Sequence, residues 1–209
     1  MSSRDEILCA VRTNLPKLDR ALPKVPMFDA TATASLLATF KASLLEMGGD
    51  FVDASMSEDP LQPIRERLAQ ARVVCSATPE VEGNRPLSSA HSPRDLADVD
   101  IGVVRAAFAV AETGSVCLTQ FTLGVNALGY LAQHLIVLLD PTDVVVNLHH
   151  AYQRDELRQG HYVVFHTGPS ATADIEGVLI HGAQGVRSLS VLPVARSVNA
   201  IPRRAMPRD

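Results

Sequence analysis

The segment AETGSVCLTQ (residues 111–120) contains one carboxylate, Glu112, between the apolar run AAFAVA and the Thr113–Gly114 pair. An ionised carboxylate at the end of a buried strand is costly unless it is paired or functional. Glu112 is therefore a candidate nucleophile or general base. The alternative is a glutamate at the edge of a hairpin that faces solvent, and the residues by themselves leave both interpretations open.

The segment GPSATADIE (residues 168–176) brings two hydroxyls and two carboxylates together within nine residues. It follows an apolar run, and the pattern predicts a strand, a turn and then a helix. The free N–H groups at a helix start attract anions, and the hydroxyls of Ser170 and Thr172 can join them. The competing interpretation is a helix cap, in which Asp174 and Glu176 interact favourably with the helix dipole.

The two carboxylates of this segment cannot act as a pair if the helix forms. Each helical residue turns by about 100°, so Asp174 and Glu176 would point to nearly opposite faces. We therefore expect at most one of them to contact a ligand.

Several kinds of site are disfavoured by what the sequence lacks. The three lysines all lie within the first 41 residues, which excludes a phosphate-binding or Schiff-base lysine in the core and leaves backbone N–H groups, hydroxyls or arginines such as Arg105 and Arg187. The seven histidines are scattered without the spacing of metal ligands, so we expect no metal site. The three cysteines are far apart, which predicts no cofactor cluster in this chain and favours a reducing cytoplasm.

Composition and charge limit the class of partner. The formal charge of −4 and the sequence pI near 6.0 provide no basic face for nucleic acid or for an anionic membrane. No segment reaches the roughly 18 apolar residues that a membrane span needs, and the charged start is unlike a signal peptide. With 46% hydrophobic and 20% charged residues, the chain is typical of a soluble α/β protein.

The elements that must position these side chains alternate between short apolar runs and helices. We expect strands in the segments FVDAS, RVVCS, AAFAVA, SVCLTQ, HLIVLLD, YVVFHTG and RSLSVLPVA. We expect helices over residues 4–15, 32–47, 60–71, 141–154 and 171–182. This alternation predicts an α/β fold with a mostly parallel sheet and helices on both faces.

The chain divides by composition into three parts. Residues 1–50 should form N-terminal helices and a linker, residues 51–195 an α/β domain, and residues 196–209 a basic, flexible tail. Within the domain, the polar residues 81–98 predict a long surface loop near a possible site, and Thr113–Gly114 predicts a turn between two strands.

The two segments resemble the lactate-utilisation protein C family, whose members consist of a single LUD domain. The similarity is carried by AVAETGSVCL and by HTGPSATADIEGVLIHGAQGVRSLSVLPV, with the N-terminal SRDEILCAVRTNL as a weaker third match. The family's motif positions correspond here to Glu112, Thr113, Gly114, Gly168, Pro169, Ser170, Thr172, Asp174 and Glu176.

The resemblance implies a fold similar to glucosamine-6-phosphate deaminase, ribose-5-phosphate isomerase and CoA transferase. It also implies a bacterial, cytoplasmic protein that works with iron–sulfur partner proteins in oxidising L-lactate to pyruvate. A chain without cluster-binding cysteines needs such partners to carry the electrons.

Three hypotheses for function follow. The first is an accessory subunit that binds a small carboxylate or a partner, with Glu112 as the catalytic candidate and the other motif residues around the ligand. The second is an autonomous CoA-transferase-like enzyme that uses Glu112 as the nucleophile. The third is a binding or regulatory module without catalysis.

Overall fold

A computed structural model of the protein describes residues 2–16, 21, 23–29, 35–53, 59–90, 92–174 and 177–196. Glu176 and the basic tail beyond Arg196 lie outside the described residues. Arg196 itself is held in place, because its backbone N–H donates to Asp140 Oδ2 at 2.8 Å and its guanidinium donates to Ala106 O and Ala107 O.

The main sheet has five strands, and every neighbouring pair is parallel. In spatial order its strands are β1 (Asp50–Phe51), β11 (Ser188–Pro193), β6 (His134–Leu139), β3 (Ile101–Arg105) and β2 (Val74–Ser76). The mostly parallel sheet with flanking helices that the alternation predicts is therefore confirmed. The sequence interpretation missed β3, the strand between β2 and β6.

Both faces of the main sheet are covered, which explains why its strands are continuous apolar runs. Alternate residues of β6 point to opposite faces, with Leu135 and Val137 in one cluster and Ile136 in another. The helix α3 (Gln62–Gln70) covers the second face through its buried Ile64.

The first face packs against two groups of elements. One is helical and comprises α2 (Leu36–Glu46), α4 (Gln120–Leu123) and α5 (Leu128–Leu131). The other is a second sheet of four strands, ordered β7 (Val144–Val145), β4 (Phe108–Val110), β5 (Ser115–Thr119) and β8 (Val163–His166). The short helices α6 (Leu148–Ala151) and α7 (Asp155–Gln159) pack on the far side of the second sheet.

The second sheet corrects two sequence predictions. Its pairs β4–β5 and β5–β8 are antiparallel, so β8 is a half-buried strand rather than a buried parallel one. The helix predicted over residues 141–154 is wrong, because Val144 and Val145 pair with β4 and only the last part is helical. Consecutive β-branched valines favour a strand, and here they pair with the edge of β4.

The helix predicted over residues 171–182 is also wrong. Its ends form a small antiparallel hairpin of β9 (Ala171–Thr172) and β10 (Ile180–His181). Gly177 and Gly182 within it have φ of +69° and +70°, and Gly168 just before it has φ of +69°. This left-handed backbone interrupts a right-handed helix.

The N-terminal part contains two helices with different surroundings. The helix α1 (Ser3–Asn14) starts with a capping box between Ser2 and Asp5 and buries none of its residues. In contrast, α2 starts at the cap residue Ser35 and buries Phe40 and Leu44 completely. Among the described residues, no helix is long and apolar enough to cross a membrane.

Candidate functional site

The turn between β4 and β5 opens onto a cavity of about 550 Å³, which we call the Glu112 cavity. Three elements besides this turn form its walls: the end of α2, the helix α6 and the end of β8. Its lining residues are Ser43, Glu46, Met47, Glu112, Thr113, Ser115, Leu148, Tyr152, Phe165 and Thr167. The cavity thus joins the turn that contains Glu112 to the residue that precedes Gly168.

Glu112 lies at the rim of this cavity with its side chain exposed. The predicted turn at Thr113–Gly114 is present, because Ala109 pairs with Val116 and Val110 with Ser115. The Oε2 atom of Glu112 accepts a long hydrogen bond of 3.4 Å from the backbone N–H of Leu148. Glu112 is therefore the solvent-facing glutamate of a hairpin, and its accessible carboxylate can contact a ligand or a partner.

A chain of hydroxyls runs along one wall of the cavity. Thr113 Oγ1 lies 2.7 Å from Ser115 Oγ, which lies 2.6 Å from Thr167 Oγ1. Ser115 is only 3% exposed, so it links the two threonines from below the surface. Hydroxyls both donate and accept hydrogen bonds, so this chain can bind a carbonyl, hydroxyl or ammonium group.

Two motif glycines let α2 approach the site closely. Gly114 and Gly168 both have left-handed φ values, of +65° and +69°. A Cβ atom on Gly114 would overlap the backbone nitrogen of Leu44, and one on Gly168 would overlap the carbonyl oxygen of Met47. These contacts give both glycines a structural role, which is to seat the C-terminal half of α2 against the cavity.

Of the remaining predicted site residues, Ser170, Thr172 and Asp174 lie in or beside β9 and do not line the cavity, and Glu176 lies outside the described residues. The backbone of Ser170 is bonded to Val186 O and to the N–H of Gly182. Thr172 Oγ1 accepts the N–H of Asp174 at 3.2 Å, and Asp174 is exposed. The predicted anion site at a helix start does not form there, because the helix is absent.

The charge of the Glu112 cavity differs from what an anion pocket needs. Among its described lining residues, Glu46 and Glu112 are acidic, and none is Lys, Arg or His. Of the arginines proposed to hold an anion, Arg105 pairs with Glu80 at 2.6 Å, and Arg187 lines another cavity. The Glu112 cavity therefore favours a cationic or neutral group over a free carboxylate ion.

Next to Thr167, His166 contributes a half-buried aromatic neighbour. Burial lowers the pKa of His166, and its ring centroid lies 5.2 Å from that of Tyr130. Tyr130 Oη lies 2.5 Å from Tyr162 Oη, and burial together with this contact raises the pKa of Tyr162 to about 12. The lowered pKa of His166 and the raised pKa of Tyr162 both favour the uncharged form of the side chain.

Potential metal ligands and thiols do not converge on the site. In the part of the chain that the structure describes, no group of three or more His, Cys, Asp or Glu side chains could hold a metal ion. Cys75 and Cys117 are buried free thiols, and burial raises the pKa of Cys117 to about 12. An unreactive thiol is expected from such a shift.

Several residues of the cavity escaped the sequence interpretation. Ser115 follows the motif residue Gly114, and Thr167 precedes the motif residue Gly168. This adjacency is the one feature of the sequence that could have identified them. Glu46 and Tyr152 lie on elements distant in sequence, and no local pattern marks either of them.

Comparisons with known proteins agree with this architecture. The family model described as LUD domain matches residues 39–194. This range begins within α2 and includes every described residue of the Glu112 cavity.

A protein named Lactate utilization protein C from Deinococcus radiodurans is 28% identical over 188 residues, covering 83% of this chain and 86% of the relative. The crystal structure of a DUF162 family protein from Deinococcus radiodurans, solved at 1.70 Å, matches with a TM-score of 0.58 and 20% identity. That match covers 75% of this chain and 94% of the solved one, and it supports the fold.

Proposed function

The chain belongs to the LUD domain family, and from that membership we propose that it acts in lactate utilisation. Its role there is that of an accessory subunit that works with iron–sulfur partner proteins in oxidising L-lactate to pyruvate. The observation that carries the proposal is the match along most of both chains to the relative named Lactate utilization protein C. The proposal places the complex in the cytoplasm.

The division of labour follows from the chemistry. Oxidation of lactate to pyruvate releases two electrons and two protons, and the electrons need a redox-active acceptor. This chain has three cysteines, of which Cys75 and Cys117 are buried and Cys9 is exposed on α1. A cluster held by four thiolates therefore belongs to a partner.

We assign the Glu112 cavity as the surface that contacts the iron–sulfur partner protein. Its exposed Glu112 and the neighbouring Glu46 favour a basic side chain of a partner, and the hydroxyl chain can accept or donate around it. Apolar walls from Met47, Leu148 and Phe165 exclude water from such a contact. The pair of carboxylates then gives orientation and specificity, as charged groups do at protein interfaces.

A pull-down with the tagged full-length chain from lactate-grown cells of its source tests this proposal. We expect iron–sulfur proteins among the retained partners, identified by mass spectrometry and by the iron content of the eluate. The absence of any cluster protein from the wild-type eluate would overturn the accessory role.

The role of the cavity is tested separately with Glu112→Gln, which keeps the shape and removes the charge. We expect at least a tenfold loss of partner retention, because charge-assisted hydrogen bonds contribute about 1.5–3 kcal/mol. Glu82→Gln is the matched control, since Glu82 is exposed and lies outside the cavity. If the two variants retain the partner equally well, the Glu112 cavity is not part of the interface.

A second candidate is an acyl-transfer enzyme, which the accessibility of Glu112 favours. The Glu112 carboxylate would attack the carbonyl carbon of an acyl-CoA thioester, the C–S bond would break, and CoA would leave as a thiolate. The glutamyl anhydride so formed adds the mass of the acyl group to Glu112. Mass spectrometry after incubation with acyl-CoA thioesters detects it, and an unmodified Glu112 with every thioester would reject this function.

A further inference from the structure

A second cavity, of about 780 Å³, lies along the N-terminal edge of the main sheet. Val74, Ile101, His134 and Ser188 are aligned across four parallel strands in one row of the register. The cavity runs along this row, and we call it the basic groove. Its polar lining includes Arg67, Gln70, Arg72, Gln133, His134 and Arg187.

The basic groove is separate from the Glu112 cavity. In the part of the chain that the structure describes, no residue lines both cavities. The groove lies at the edge of the main sheet where the parallel strands begin. The second sheet starts with β4, which follows the opposite, C-terminal end of β3. A ligand in the groove would therefore leave the Glu112 cavity free.

The charge of the groove is positive. Arg67, Arg72 and Arg187 line it together with two aspartates, Asp98 and Asp100. Asp98 is already paired with Arg85 at 2.8 Å, a residue outside the lining. Two positive charges are thus left uncompensated even when His134 is neutral.

These arginines make no direct ion pair with a described carboxylate. Within the described ranges, none of the salt bridges involves Arg67, Arg72 or Arg187. Asp100 Oδ2 accepts the N–H of Val73 at 2.9 Å, which holds this carboxylate in place while it keeps its charge and offsets one of the three arginines. Arg72 and Arg187 are exposed and Arg67 is half-buried, so water solvates these guanidinium groups in the free protein and an external anion can take its place.

Two serines of β11 fix the polar wall in position. Ser188 and Ser190 are two residues apart and so point to the same face of the strand. Ser190 Oγ accepts from Arg67 at 3.1 Å, and Ser188 Oγ lies 2.8 Å from His134 Nδ1. Because Ser190 is only 1% exposed, this wall is anchored from inside the protein.

From this arrangement we infer that the basic groove binds an anion that carries a phosphate group. Two uncompensated positive charges match the dianion of a phosphate monoester better than a monocarboxylate such as lactate. Guanidinium forks bind phosphate oxygens through paired hydrogen bonds, and Gln70 and Gln133 can donate to further oxygens. The volume is in the range of a site for a small ligand.

The electrostatics of His134 agree with this inference. Burial and the positive charges of Arg67 and Arg187 lower the pKa of His134, and Asp100 opposes them. A bound dianion offsets the field of the arginines. The pKa of His134 should therefore rise when the ligand binds.

Isothermal titration calorimetry on the full-length chain tests the inference with inorganic phosphate, pyrophosphate, adenosine monophosphate and lactate. We expect binding of at least one phosphate compound and weaker or undetectable binding of lactate. Phosphate or pyrophosphate as the tightest ligand indicates a free inorganic anion, and adenosine monophosphate indicates an ester. Tighter binding of lactate, or no binding of any phosphate compound, would overturn the assignment.

Variants then locate the site. Arg187→Gln and Arg67→Gln should each weaken binding by about tenfold to a hundredfold, the loss of one charge-assisted contact. Arg12→Gln, on the exposed α1, is the control and should bind as the wild type does. Arg187 is itself exposed, so its replacement leaves the core intact. Equal affinity of Arg187→Gln and Arg12→Gln would place the ligand elsewhere.

Nuclear magnetic resonance of the histidine rings provides a second measurement. The pKa of His134 should rise on addition of the best ligand in the wild-type protein and stay constant in the Arg67→Gln/Arg187→Gln double variant. A ligand that binds without moving the His134 resonance would contradict the groove as its site. None of these outcomes depends on the role in lactate utilisation.

Discussion

The seating of α2 on the β4–β5 turn leads to a sharp prediction about Gly114. The chain contains a matched control, since Gly114 and Gly177 have nearly the same φ, of +65° and +69°. They differ in surroundings: a Cβ on Gly177 would meet none of the described residues within 4 Å, whereas one on Gly114 would overlap the backbone of Ser43 and Leu44. The pair therefore separates backbone strain from steric overlap.

Both substitutions to alanine force a residue with a Cβ into the left-handed region, which costs about 1–2 kcal/mol. Gly114→Ala must in addition displace the backbone of α2, a form of overpacking that costs about 1–3 kcal/mol more. The overlap cannot be relieved by a rotamer change, because the atoms of Leu44 concerned belong to the backbone. We therefore expect Gly114→Ala to lower the free energy of unfolding by about 2–5 kcal/mol.

Urea denaturation followed by circular dichroism measures the difference between the two variants. Gly114→Ala should be less stable than Gly177→Ala by about 1–3 kcal/mol, at an unchanged dependence on urea. Equal stabilities would refute the close packing of α2 on the turn. They would also remove the structural role that we assign to Gly114.

Three further predictions concern polar groups that are buried or half-buried. Ser115→Ala breaks the hydroxyl chain and should lower the free energy of unfolding by about 1 kcal/mol, measured in urea against the wild type. Burial opposes ionisation of Glu80, but hydrogen bonds from Thr78 and Arg105 hold its pKa below the usual range. The ionised Glu80 therefore stabilises the folded protein fully above pH 4.5, and this contribution is lost as the pH falls through the lowered pKa. Glu80→Gln should accordingly cost about 3 kcal/mol at pH 7 and much less at pH 3. Burial lowers the pKa of His166, so the wild type should lose stability as pH falls below about 6.5, and His166→Phe should flatten that decline in thermal melts from pH 7 to 5.

The sequence predicted the main sheet well because its strands are buried on both faces. Runs such as HLIVLLD have no polar face, and only a covered strand keeps such a run away from water. Strand β6 accordingly appears where this run predicts it. Strand β3 was missed because its sequence IGVVR follows a polar loop and runs directly into the next apolar segment, AAFAVA.

The segment GPSATADIE shows what local patterns cannot decide. Its polar residues are as compatible with a helix start as with a hairpin. The spacing of Ile175, Val178 and Leu179 favoured the helix. In the folded chain Val178 and Leu179 are both about 60% exposed, so no core stabilises a helical face there. The left-handed glycines then favour the hairpin.

The sequence by itself determined the strand–helix alternation, the aliphatic core, and the two motif segments that belong to the family. These properties are local, since hydrophobic periodicity and the residue types within a few positions specify them. Only the tertiary structure decided that Thr113 and Thr167 meet through Ser115, that Glu46 joins Glu112, and that arginines from separate elements line one groove. Such contacts join residues far apart in the chain, and the packing of sheets and helices fixes their distances. That packing gives one cavity only acidic charged residues among its described lining and gives the other an excess of guanidinium groups.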